Sequence, residues 1–132
     1  MASFVLSTYS RNLLCNATGL NTLLGNCTMQ TRTGAAPGPQ ANASGTLLVT
    51  HTLPPAANNT PANGVITIGA IANANGVANG NAQHVRILSG NNVIAEGDAG
   101  TSGNTVIFDN VSIATNQVVS ISSANFTIPA GT

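Results

Sequence analysis

The chain has no lysine and no tryptophan, and charged residues make up 5% of its 132 residues, against ~25% in an average soluble protein. Arg11, Arg32, Arg86, Glu96, Asp98 and Asp109 are the only ionic side chains, and the formal net charge is zero. Three scattered arginines cannot form the basic stripe that neutralises phosphates, so nucleic acid is not an expected partner. The aromatics are Phe4, Tyr9, Phe108 and Phe126, too few to build stacking platforms for sugars or bases. No apolar run approaches the ~18–20 residues of a membrane-spanning helix, and no membrane partner is expected. The opening stretch lacks the basic segment and long apolar run of a secretory signal. A cytosolic origin follows, and with it free thiols at Cys15 and Cys27, packed as small apolar groups. A disulfide between them stays open if the first segment folds back on the second. Neither cysteine has the CxxC or Cys/His spacing of a zinc site.

Catalytic machinery is also missing. His51 and His84 are the only histidines, each in a strand-like run. No nucleophile elbow, triad spacing or glycine-rich phosphate loop accompanies them, so no enzyme, cofactor or metal is expected. Glu96 and Asp98 lie two apart and share a face if both are in a strand. They read as a calcium or acid–base pair or, more plainly, as a charged loop edge near Arg86. The plain reading is the one carried forward.

What is present is apolar: 42% of residues are hydrophobic and mean hydropathy is +0.22. Disorder requires low hydrophobicity and high net charge, and this chain has neither. A single domain over residues 1–132 is expected, long enough to bury a core without staples. The surface must be covered by Asn, Thr, Ser, Gly and Ala. Zero net charge removes the repulsion that keeps monomers apart. Two readings follow: an obligate assembly, or a neutral monomer kept soluble by amides and hydroxyls. The assembly is the sharper expectation.

Residues 1–25 read as an arm and one helix. Leu6, Leu13, Ala17, Leu20 and Leu24 recur at helical spacing. Ser7 is placed as N-cap and Gly25 as the left-handed stop, with Gly19 as a weak point inside the helix. Residues 26–132 switch to period two, with eight or so short strand-like segments and turn signals between them. Gly90-Asn91-Asn92 between "QHVRILS" and "NNVIAEG" is a hairpin signal. The fold class is therefore mainly β, a β-sandwich or jelly-roll-like domain with one N-terminal helix.

Two segments are low in complexity: Gly34–Ser44 and Ala72–Ala82. Both read as flexible loops. Pro37 and Pro39 keep the first from pairing as an edge strand, and it is expected to be disordered in the free chain and ordered by a neighbouring subunit. Met1, Ala2, Ser3, Phe4, Val5 and Leu6, with Gly34, Ala35, Ala36, Pro37, Gly38, Pro39 and Gln40, are the candidate protein-contact residues.

The order of segments carries a resemblance. "SRNLLCNATGLNTLLGN" leads to "RTG", then to "AAPGPQANASGTLLVTHTL", to "GDAGTSGN", and to the alternating tail "VSIATNQVVSISSANFTIPAGT". This series resembles a group of small phage and prophage virion structural proteins, in particular head decoration (cement) proteins. The resemblance implies a homotrimer on the outside of the head that bridges capsomers of the major capsid protein. The competing expectation is a receptor- or glycan-binding module of a phage tail or fibre, which predicts an exposed aromatic or carboxylate cluster, for instance Glu96, Asp98 and Tyr9 converging.

Overall fold

The computed structural model describes residues 4–10 and 19–128. Met1–Ser3, Leu13, Cys15, Ala17 and Pro129 lie outside them, so the expectations placed on those residues go no further.

The first segment is a strand, β1 (Phe4–Leu6), with Leu6 in the strand rather than in the helix. Ser7 then caps a helical turn at residues 8–10: its hydroxyl accepts the Ser10 amide at 3.1 Å, as its N-cap position predicts. The expected continuous helix is interrupted. Gly19 is extended (φ −72°, ψ 150°) and starts a separate short helix, α1 (Leu20–Leu24). The left-handed residue after α1 is Asn26 (φ 60°), while Gly25 is extended. Asn tolerates that conformation through its short polar side chain. Leu20 and Leu24, the members of the leucine stripe that fall in α1, are buried.

The mainly β class is what the chain adopts. After α1 come β2 (Thr28–Arg32), β3 (Leu47–Thr52), a 3-10 turn at Ala56–Asn58, β4 (Thr60–Ala62), β5 (Val65–Thr67), β6 (Ala74–Asn75) and β7 (Gly80–Asn81). Then follow β8 (His84–Ser89), β9 (Asn92–Gly100), β10 (Val106–Phe108), β11 (Ser112–Ile113), β12 (Val118–Val119) and β13 (Ile121–Thr127). The main sheet has the order β3-β2-β8-β9-β10-β13-β5-β4, with β1 also on β9. It is mixed, because β10 runs parallel to β9. This strand order does not by itself make a jelly roll. Two small ribbons, β11–β7 and β12–β6, complete the strands.

The ribbons replace the expected flexible loop over residues 72–82. Its backbone is engaged at several points: the Gly76 amide donates to Gln117, the Val77 amide to Leu48, and the Ala82 amide to Val111. The Val77 bond also covers the outer edge of β3. At the other edge β4 carries Pro61, which has no ladder donor to offer a second sheet.

Alternation sorts the central strands into two faces. Met29, Val49, His51, Val85, Ile87 and Ala95 face one core with Phe108 and Phe126, all buried. Phe4 stacks on Phe126 with ring centroids 4.8 Å apart, which ties β1 to β13. Cys27, just before β2, is a free buried thiol, as expected. The opposite face of β8 and β9 carries His84, Arg86, Glu96 and Asp98 in cross-strand register: His84 opposite Asp98, Arg86 opposite Glu96.

Candidate functional site

Polar side chains on the outer face of a sheet normally meet water. Here Arg86 and Glu96 are 5% and 2% exposed, because the segment after β2 folds over them. The pair is closed by two contacts: Arg86 Nε donates to Glu96 Oε2 at 2.8 Å, and Nη2 lies 2.7 Å from the same oxygen. The remaining valences hold the covering loop. Arg86 Nη2 donates to the Gly38 and Ala41 carbonyls at 3.1 and 2.8 Å. Glu96 Oε1 accepts the Gly38 amide at 2.8 Å. Gly38 therefore donates to one member of the ion pair and accepts from the other. Its φ of +106° is open only to glycine.

Two further bonds fix the ends of this loop. His84 Nδ1 donates to the Gly34 carbonyl at 2.8 Å, which assigns the proton to Nδ1 because a carbonyl only accepts. The Thr8 amide donates to Gln40 Oε1 at 2.7 Å, joining the loop to the segment after β1. The expectation that Gly34–Ser44 orders only on a neighbouring subunit is thus corrected for residues 34–41. A buried charge needs its hydrogen bonds satisfied, and the chain satisfies them with this loop's own backbone.

Described members of the two sets of candidate contact residues, far apart in sequence, come together. Val5 sits opposite Glu96 in the β1–β9 register. Val5, Ala36 and Gly38 line one cavity of about 280 Å³ with Gln83, His84, Glu96, Gly97 and Asp98. Val5, Ala35, Ala36, Pro37 and Gln40 are exposed around it, whereas Leu6, Gly34 and Gly38 are half-buried. Phe4 and Pro39 are buried within the chain, which removes them from the expected contact set.

The carboxylates are not a charged loop edge. Glu96 and Asp98 share one face of β9, as their spacing required, but Glu96 is paired with Arg86. Asp98 accepts from the Thr105 amide and hydroxyl at 3.1 and 2.7 Å and from Asn104 Nδ2 at 2.8 Å. No group of three or more His, Cys, Asp or Glu among the described residues is placed to hold a metal ion.

His51 lies on the opposite, core face. Its Nε2 donates to the Val119 carbonyl at 3.1 Å, its ring meets Phe108 edge-on, and burial lowers its pKa from the ordinary 6.5, the Val119 bond opposing. The two histidines are thus placed on different faces of the sheet, each tied to a backbone carbonyl.

The reading that places Glu96 and Asp98 near Arg86 is the sequence signal closest to the Arg86–Glu96 pair. No family model matches the chain, and no curated protein or solved structure matches it either.

Proposed function

We propose that this chain is a non-enzymatic structural protein of a phage head, a decoration or cement protein that binds the outside of the particle and stabilises contacts between capsomers of the major capsid protein. The observation that carries this reading is the near absence of charge from the surface. Of the five charged residues among those described, Asp109 alone is exposed. Arg86 and Glu96 neutralise each other in the interior, Asp98 is held by Thr105 and Asn104, and Arg32 is half-buried with its guanidinium on Gln30 and the Gly45 carbonyl.

Such a surface suits permanent coverage by protein. Stable interfaces bury ~1,200–2,000 Å², and a neutral one avoids the cost of desolvating charge and is little affected by salt. A homotrimer, as the family resemblance implies, would multiply each attachment. The tail or fibre reading would be served by an exposed aromatic or carboxylate cluster; Glu96, one candidate member, is buried in its ion pair. No helix among the described residues is long and apolar enough to cross a membrane.

The test is direct. Purified chain is mixed with heads of its parent particle prepared without it, and the heads are sedimented at low and high salt. Expected are co-sedimentation at both and a higher temperature of head disruption, with density for the chain on the outer surface by electron cryo-microscopy. Density confined to the tail, or none, would overturn the proposal.

A further inference from the structure

We propose that Asn63 is a site of spontaneous covalent modification: its side chain cyclises onto the Gly64 amide, releases ammonia and opens to aspartate or isoaspartate, while the fold protects the chain's other two Asn-Gly pairs. This goes beyond the head reading and does not depend on it.

The three pairs are Asn63-Gly64, Asn75-Gly76 and Asn79-Gly80. Glycine after asparagine favours the reaction, because no Cβ crowds the attacking nitrogen. The first two pairs have the same neighbours, Ala62 and Val65 against Ala74 and Val77. Local sequence therefore cannot separate them, and any difference in their fate belongs to the fold. Cyclisation needs a following amide that is not already hydrogen-bonded, and a backbone free to carry that nitrogen to the Asn Cγ.

The first pair meets both needs. Asn63 and Gly64 form the turn between β4 and β5, with φ of 55° and 76°, as a type I′ turn requires. Both residues are exposed. Neither the Asn63 side chain nor the Gly64 amide has a hydrogen-bond partner among the described residues. A Cβ built on Gly64 would find nothing nearer than the Ile128 carbonyl oxygen at 3.8 Å, so the space there is open. β4 ends the main sheet and is exposed along its length. Opening this turn disturbs few contacts, and such openings are the least costly in a fold.

The other pairs are built into the ribbons. The Gly76 amide donates to the Gln117 carbonyl at 2.8 Å, and Asn75 pairs with Val118. A Cβ on Gly76 would lie 2.2 Å from the Ala114 carbonyl oxygen, so this backbone has no room to turn. Asn79 Oδ1 accepts the Thr115 amide at 2.9 Å, and Gly80 pairs with Ile113. Cyclisation at either place must first break a ribbon.

The chemistry needs only water. The Gly64 nitrogen, deprotonated by hydroxide, attacks Asn63 Cγ. The N–Cγ bond forms, the Cγ–Nδ2 bond breaks, and Nδ2 leaves as ammonia with a proton from water, which regenerates hydroxide. Water then adds to one of the two imide carbonyls. Opening at Cγ leaves aspartate; opening at the Asn63 main-chain carbonyl leaves isoaspartate, with one more carbon atom in the main chain. Either product adds a carboxylate to a surface where, among the described residues, Asp109 is the sole exposed charged residue. The longer main chain of the isoaspartyl form also disturbs the turn that sets Ala62 opposite Val65.

The test follows the intact chain in mildly alkaline buffer, folded in one sample and unfolded in guanidinium in another. Cleavage after arginine releases residues 33–86 with all three pairs on one peptide. Fragmentation of that peptide assigns the amide-to-acid mass gain to a position, and chromatography separates the aspartyl and isoaspartyl forms. In the folded chain Asn63 should convert about tenfold or more faster than Asn75 or Asn79; in guanidinium the rates of Asn63 and Asn75 should converge. Equal rates in the folded chain, or faster conversion at Asn75 or Asn79, would overturn the proposal. A preference for Asn63 over Asn75 that survives unfolding would overturn the selection by the fold.

Discussion

Arg86 and Glu96 meet at 2.7 Å across β8 and β9, and the same guanidinium donates to Gly38 and Ala41 of the loop above it. Both side chains are buried, so each depends on the other for its solvation. Removing one partner from a buried pair typically costs ~3–5 kcal/mol, whereas replacing both by apolar residues is often neutral. Arg86→Met should therefore lower stability to urea by about that amount. Arg86→Met with Glu96→Leu should recover most of it yet leave the loop amides fast to exchange. Equal losses in the single and double variants would show that the pair's charges are not what matters.

His51 makes stability depend on pH. Burial lowers its pKa in the folded chain below the ordinary 6.5, so between the two values the unfolded chain binds more protons. Its contribution is complete above 6.5 and is lost progressively as pH falls through that value towards the lower folded one. Thermal midpoints should drop on going from about pH 8 to about pH 5.5, and His51→Gln should flatten that part of the profile. A drop of equal size in the variant would place the titrating group elsewhere.

Cys27 should be inert in the native state. Burial raises its thiol above the ordinary value, a hydrogen bond with Ser89 opposing, and its Sγ lies 3.1 Å from the Leu23 carbonyl. The thiolate is the reactive form. Labelling of Cys27 by a thiol reagent, followed by peptide mass, should be slow until denaturant unfolds the chain.

Gly69 lies just past β5, where the chain leaves β13 after the Ile68 amide donates to the Ala124 carbonyl. Its amide donates to Asn59 Oδ1 at 3.0 Å, and a methyl group there would lie 2.5 Å from the Asn58 carbonyl oxygen. Gly69→Ala should cost ~1–3 kcal/mol as overpacking, measured by denaturant unfolding.

How far the sequence could be read is clearest at the β8–β9 hairpin. Its turn was legible at Gly90, and so was the alternation that puts Val85 and Ile87 opposite to Arg86. A plain count back from the turn pairs Ser89 with Asn92 and Leu88 with Val93, and would set Arg86 against Ala95. The register slips by one between Ile87 and Leu88, and this bulge brings Glu96 opposite Arg86. A bulge depends on packing around it, and nothing in the local residues announces it. The nearness of the carboxylates to Arg86 is legible, but the choice of Glu96 as its partner, and through it the fixed loop, is hidden for that reason. The helix was misread for a different reason: Gly19, read as a weak point inside it, takes an extended conformation that splits the segment. Residues 74–81 became ribbons because they meet residues 112–119, a pairing at long sequence distance that local composition cannot reveal.

The position of β13 sets an order of events during synthesis. It lies between β10 and β5, and β5 has only β4 on its other side. The β4–β5 hairpin emerges some fifty residues before the strand that attaches it, and Phe4 waits on the same strand for its stacking partner Phe126. Such non-local closure is slow, and until it happens the apolar side of the nascent sheet stays open. β13 must therefore clear the ribosome before a surface so poor in charge becomes safe from premature association.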